Sequence, residues 1–364
     1  MDEFQKRIQL KNNTPIKIKD IARIANVSVG TVDRVLHNRS DVSDKTRERV
    51  LIIIDELGYK TNIIAKTLAS KNQTVFSILI PEEDEYSSYW QKPLTGIEKA
   101  EEELATFGIE IKKYFFSFSD TKSFKEQVNL LLKDKPNAVV FAPIFKEESL
   151  SFTKDLNDCN IPFVLVDSNL EDEHNRIAYI GHDSFQSGVV AAKLIHTRIG
   201  YSDNVLLVNL VLNAKDLNHL SERSNGFRSF FTDKKKSGAI VELNIHDLDE
   251  EIIDKRLTQT FKDVSNIKAI YVTNSRVHLI ANYLEKYHLD QKIVLVGYDL
   301  IDKNIAYLKT DTIDYLISQN SVEQGYRSVM RLFQSTVLNE KIEKITYFPI
   351  NIIIKENLKY IHNF

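Results

Sequence analysis

The strongest constraint on how this chain can fold is a unit repeated from Val75 onward: a short apolar run of strand length, then a stretch with helical spacing of apolar residues. The runs are Val75–Ile80, Ile109–Phe116, Ala138–Phe141, Phe163–Val166, Val205–Leu210, Ile240–Ile245, Ala269–Val272 and Ile293–Val296. Between the first two, Ile97, Ala100, Leu104 and Phe107 recur as one face of a helix. Apolar strands alternating with helices predict parallel sheets covered on both faces, a doubly wound α/β fold. A chain of 364 residues exceeds one ordinary core, so two such lobes are expected. Apolar residues at 43% and charged residues at 27% are globular values and exclude bulk disorder.

In open α/β sheets, ligands sit beyond the carboxyl ends of the strands. The polar and aromatic residues there are Tyr89 and Trp90 after the first strand, Asp167 and Ser168 after the fourth, Asn274, and Tyr298 and Asp299. Arg223 at the start of the ERSNGF helix and Gln319 after the Ile313–Ser318 run join them, and Arg176 in a loop is a further candidate. Carboxylates, amides and a guanidinium bind vicinal hydroxyls in two-pronged fashion, while an aromatic packs on the C–H face of a sugar ring. Each has a plainer reading: Trp90 as core filler, Asp167 and Asp299 as helix caps, Arg223 in a salt bridge with Glu222 or Asp299, Asn274 and Gln319 satisfying backbone groups. Lobe closure is expected about crossovers near Asp183, Leu300 and Asn320.

The histidines lack metal-ligand spacing, and no H-E-x-x-H, C-x-x-C, G-x-S-x-G or G-x-x-x-x-G-K occurs, so neither metal, cofactor nor catalysis is expected. Cys159 is the single cysteine, which excludes an internal disulfide.

Residues 18–58 have a different pattern. Ile18, Ile21, Ala22 and Ala25 form a helical stripe; Asn26 and Val27 break it; Ser28 is a good N-cap, able to accept from the amide of Thr31. Val32, Val35 and Leu36 face inward in the second helix, leaving Val29, Gly30, Asp33 and Arg34 outward. Ser43 to Thr46 caps a third helix, whose Val50, Ile53, Ile54 and Leu57 close the core, with Gly58 as its stop. This is a helix-turn-helix pattern, in which the start of the second helix enters the major groove. Residues 1–72 carry 14 Lys and Arg against 9 Asp and Glu, leaving 34 against 42 for the remainder, so a basic head is joined to an acidic body.

From Ile18 to His37, the residues Asp20, Ile21, Ala22, Ala25, Val27, Ser28, Thr31, Val32, Arg34, Val35 and Leu36 stand in register with the head of LacI-type regulators, which this segment resembles. Asn62–Ala69 is similar to that family's hinge helix, and the resemblance makes Leu68 the wedge pushed into the minor groove. Thr61, Lys66 and Ser70 depart from the usual Pro, Arg and Gly. The body resembles the pentose- and hexose-binding branch of periplasmic binding proteins, through Y-W-x5-G from Tyr89, V-D-S from Val166, Y-I-G-x-D from Tyr179, E-R-x-x-G-F from Glu222, V-G-Y-D from Val296 and Q-N-x-x-E-Q-G from Gln319. Ala142 and His182 depart from that pattern.

The resemblance implies a homodimer on double-stranded operator DNA, contacted by Lys19, Ser28, Val29, Gly30, Thr31, Arg34, His37, Asn62, Ala65, Lys66 and Leu68, and switched by a small carbohydrate-like effector. The domains expected are a mobile extension over 1–15, the head over 16–60, a hinge over 61–72 and an effector-binding body over 73–364. Within the body, one lobe takes about 73–182 and 320–348, the other about 183–319 and 349–364. A purine co-repressor is the alternative effector. A solute receptor would need an export signal, and MDEFQKRIQLKNNTP has no apolar signal core; no run is long enough to span a bilayer, so a cytoplasmic protein without membrane contact is expected.

Overall fold

The computed structural model describes residues 16–36, 39, 41–59, 74–170, 175–211, 218–234 and 237–361. The expectations for the N-terminal extension, for His37 and for the hinge with Asn62, Ala65, Lys66 and Leu68 lie outside these residues. The chain divides into two compact units, Met1–Ala69 and Ser70–Phe364.

In the first unit, α1 (Ile18–Ala25), α2 (Val29–Leu36) and α3 (Asp44–Leu57) enclose a core of Ile21, Ala22, Ala25, Val32, Val35, Val50, Ile53 and Leu57. Asp20 begins α1 by accepting the amide of Lys17 at 3.0 Å. Asn26 ends it in the left-handed region at φ 51°, where its short polar side chain is tolerated. Ser28 caps α2 through the Thr31 amide at 3.0 Å, as its position predicts. Ser43 stands at the start of α3, but its hydroxyl bonds the Thr46 hydroxyl at 2.9 Å rather than an amide. Gly58, at φ 60°, stops α3 as a left-handed C-cap.

The second unit holds two α/β lobes. The first begins with β1 (Thr74–Pro81), α4 (Gln91–Ala105), β2 (Ile109–Phe116), α5 (Thr121–Lys133), β3 (Ala138–Phe141), α6 (Lys146–Asp158), β4 (Phe163–Asp167) and β5 (Arg176–Gly181). The second contains α7 (Ser184–His196), β6 (Asn204–Leu210), α8 (Asn218–Lys234), β7 (Ile240–Ile245), α9 (Glu250–Asp263), β8 (Ile267–Val272), α10 (Val277–Lys286), β9 (Val294–Tyr298), α11 (Asp302–Lys309) and β10 (Tyr315–Ser318). The chain then returns to the first lobe for α12 (Ser321–Thr336) and β11 (Ile345–Tyr347), and crosses again for β12 (Asn351–Ile353).

Among the described residues each lobe has a six-stranded sheet, in order β11-β5-β4-β3-β1-β2 and β12-β10-β9-β8-β6-β7. All pairings are parallel except β10 with β12. β1 and β6 therefore lie where strand order reverses, the switch points at which ligands bind in such sheets.

Three details differ from the sequence expectation. The helix after β1 ends at Ala105, so Phe107 follows it and packs in the turn against Phe333, ring centroids 5.0 Å apart. Arg176 opens β5 rather than standing in a loop. The chain passes between lobes at 182–183, 319–320 and 348–350, whereas Leu300 lies between β9 and α11 of a single lobe. Its place after a strand mimicked a crossover, but the strand that follows pairs within the same sheet.

Candidate functional site

Asp167 closes β4 and Asp299 follows β9, one from each lobe, and both take φ 69°. The Tyr89 hydroxyl donates to Asp167, and the Ser168 hydroxyl lies 3.2 Å from its other oxygen. Asp299 is held by Gln319, whose Nε2 donates to both carboxylate oxygens at 3.0 and 3.1 Å. The loop carrying Asp299 is pinned from behind by Asn304, whose Nδ2 donates to the carbonyls of Ser275, Tyr298 and Asp299 at 2.8, 2.9 and 3.0 Å.

Arg223, on α8, connects these groups. Its guanidinium donates to the Thr273 carbonyl at 2.7 Å and to Gln319 Oε1 at 2.8 Å, and stacks 3.9 Å above the Tyr298 ring. It makes no salt bridge with Glu222 or Asp299. Tyr298 is fixed in turn by hydroxyl contacts to Ser187 and Tyr271, both 2.8 Å, so it supports Arg223 from beneath. Trp90 stands edge-on to Tyr89, centroids 5.2 Å apart. Asn274 uses both ends of its amide on backbone, donating to the Leu210 carbonyl at 2.8 Å and accepting from the Arg276 amide at 3.2 Å.

Tyr89, Trp90, Asp167, Arg223, Asn274, Asp299 and Gln319 thus line one cavity between the lobes, with a volume of about 40 Å³. Ser168 and Tyr298 lie one contact behind it. Arg176 does not take part: its Nη1 is engaged by Asn169 Oδ1 at 2.9 Å and the Leu170 carbonyl at 2.7 Å. Sequence reasoning missed Asp84, Ser87, Phe118, His219, Leu220, Ser275 and Arg276, which complete the lining among the described residues. The strand-end rule that found Asn274 extends to Arg276 two residues on; Asp84 hides in an acidic run, and His219 has no local signal.

Burial pushes the Asp299 carboxyl up to about 7, against the pull of Arg223 and the Gln319 hydrogen bonds. Burial also raises Asp167, opposed by Tyr89, Arg223 and Ser168. His219 is held down to about 3 by burial and by Arg223 and Arg276, so it is neutral at pH 7, 3.3 Å from the Ser168 hydroxyl. The cavity therefore presents acceptors, donors and aromatic faces to a small polar molecule.

In the head, Lys19, Ser28, Val29, Gly30 and Arg34 are exposed and Thr31 is half-buried, its hydroxyl 2.9 Å from that of Ser28. Arg34 lies back along α2 over Gly30 and pairs with Asp41 at 3.0 Å. Such an exposed pair is worth about 0–1 kcal/mol and exchanges readily for a phosphate or a guanine edge.

A helix-turn-helix head and a two-lobed body closing on a polar cavity at its strand ends define a ligand-responsive DNA-binding protein. A profile described as "Periplasmic binding protein domain" matches residues 78–336, and one described as "Bacterial regulatory proteins, lacI family" matches residues 17–62. The chain belongs to the LacI family of transcriptional regulators, whose members are not enzymes. It is 24% identical to the HTH-type transcriptional regulator MalR of Streptococcus pneumoniae over 352 residues, 92% of this chain and 96% of that one. It is also 24% identical to the ribose operon repressor of Lactococcus lactis over 356 residues, 94% and 98% of the two chains. Among solved structures, a protein described as a LacI transcriptional regulator from Bacteroides fragilis superposes with a TM-score of 0.75 at 27% identity, covering 80% of this chain and all (100%) of that one. A glucose-galactose binding protein from Geobacillus stearothermophilus shares the fold at a TM-score of 0.69 and 21% identity, over 79% of this chain and 99% of that one. No helix among the described residues is long and apolar enough to cross a membrane.

Proposed function

We propose that this regulator acts as a homodimer on a roughly palindromic operator and is switched by a small carbohydrate or carbohydrate derivative, controlling carbohydrate-utilisation genes. Two heads are needed because one head buries too little surface for useful specificity. Lys19, Ser28, Val29, Gly30, Thr31 and Arg34 form the reading face, with His37 and the hinge residues Asn62, Ala65, Lys66 and Leu68 completing it. Tyr89, Trp90, Asp167, Arg223, Asn274, Asp299 and Gln319 take the effector. The observation that carries this reading is the pair of buried carboxylates, one from each lobe, both within electrostatic reach of Arg223. A ring with vicinal hydroxyls bridges such a pair and draws the lobes together. Closure then changes the order of the hinge and so the affinity for DNA.

The test is a thermal-shift screen of monosaccharides, sugar acids, small glycans and purines on the purified protein. A carbohydrate at about 100 times its Kd adds about 2.7 kcal/mol of stability, a rise of several degrees. The same compound changes operator affinity in wild type but not in Asp299→Ala, which still binds the operator. A shift with purines alone would replace the carbohydrate reading with a purine co-repressor.

A further inference from the structure

Arg276 lines the cavity, yet the reading above gives it no role. It is 3% exposed; Nη2 lies 2.6 Å from Asp84, Nη1 is a long 3.4 Å from the Leu210 carbonyl, and buried Nε has no partner among the described residues. Asp84 comes from the opposite lobe, in the turn after β1, where its other oxygen accepts from the amides of Tyr86 and Ser87, both at 2.8 Å. The Asp84 side chain is 25% exposed against 4% for Arg276, so an exposed turn supplies the carboxylate to a buried guanidinium. Two more contacts fasten the turn across the cleft: Ser87 Oγ to Ser275 Oγ at 2.8 Å, and Lys303 Nζ to the Glu85 carbonyl at 3.1 Å.

At about 40 Å³ the cavity is far smaller than the roughly 300 Å³ at which small-molecule pockets begin, so a monosaccharide enters only when this turn lifts away. Lifting it strips Arg276 of Asp84 and leaves a buried cation unpaired, a heavy penalty unless another anion takes the place.

We propose that Asp84 is a placeholder for a carboxylate on the effector: the effector is a sugar acid of the uronic type, gripped by Nε and Nη2 of Arg276 while its hydroxyls meet Asp167, Asp299 and Arg223. This rests on the carbohydrate reading of the same cavity. Charge supports it. With Asp84 withdrawn, Arg223 and Arg276 face Asp167 and an Asp299 that burial pushes up to about 7, so near neutrality the cavity is short of negative charge. The planar fork of arginine matches a carboxylate through two parallel hydrogen bonds.

The test is calorimetry of the full chain with matched pairs: glucose and glucuronate, galactose and galacturonate, mannose and mannuronate. One uronate is expected to bind at least about thirtyfold more tightly than its neutral hexose, the worth of a charge-assisted pair. Arg276→Met brings that pair within about threefold, and Arg276→Lys, which keeps the charge without the fork, falls between them. Asp84→Asn removes the competitor and tightens the uronate several-fold, a result that stands even where Arg276→Met fails to fold. A neutral hexose binding as tightly as its uronate overturns the acid, and a weaker uronate in Asp84→Asn overturns the placeholder. Absence of heat from every sugar and every uronate would instead overturn the carbohydrate reading beneath both.

Discussion

Asp299 holds its carboxylate at φ 69°, where an L-residue is strained by about 1–2 kcal/mol. Asn304 offsets that strain by gathering three carbonyls of the surrounding loop onto one amide nitrogen. The carboxyl is 6% exposed and pushed up to about 7, so between pH 4 and pH 7 the folded chain holds a proton that the unfolded chain has lost. Its contribution to stability is full below about 4 and is lost as pH rises through about 7. Asp299→Asn lacks this titration, so urea midpoints measured from pH 4 to pH 8 should show the variant gaining on wild type by a few kcal/mol, then a plateau. Parallel pH profiles would remove the shift. Asp299 was legible in the sequence as a polar residue at a strand end; its proton affinity was not, because that depends on burial by side chains far along the chain.

At the scale of elements, each lobe packs a pair of its own helices that meet through glycine. In α7 and α8, a Cβ on Gly188 would fall 2.0 Å from the Arg223 carbonyl, and one on Gly226 would fall 1.9 Å from the Phe185 carbonyl. In α4 and α12, a Cβ on Gly96 would fall 1.8 Å from the Val322 carbonyl and one on Gly325 2.0 Å from that of Pro93. Gly96, Gly226 and Gly325 showed in the sequence as members of its motifs, whereas their packing reason did not. Gly188→Ala forces α8 away at the very turn that bears Arg223. It should destabilise the chain by about 1–3 kcal/mol and weaken sugar binding as well. Gly325→Ala should cost similar stability while leaving Arg223 in place, so its sugar affinity measured below the melting range stays closer to wild type. Equal losses of binding in both variants would sever the link between that helix contact and the site.

Across the whole molecule, function depends on the lobes moving apart and together. Ser87 and Ser275, with hydroxyls 2.8 Å apart across the cleft, are the pair at which an engineered disulfide would tie the lobes. In a background where exposed Cys159 is changed to Ser, Ser87→Cys with Ser275→Cys should lock the lobes when oxidised. The locked protein should bind no monosaccharide, and its operator affinity should be indifferent to added sugar; reduction should restore both. A locked form that still answered to sugar would mean that the ligand enters without lobe opening.

The elements and their class were legible in the amino-acid sequence. Apolar runs, helical stripes, the cap at Ser28 and the stop at Gly58 are local signals, written within a few residues of where they act. The sequence also marked half of the cavity lining, because the end of a strand is a local position and the fold makes that position functional. Which strand ends face each other depends on how the two lobes pack. The bond from Asp84 to Arg276 spans 192 positions, the Arg223 contact to Gln319 spans 96, and the placement of His219 beside Ser168 follows from the apposition of two lobes. Such contacts leave no periodicity in either partner, since each segment satisfies its own backbone geometry whether or not the other arrives.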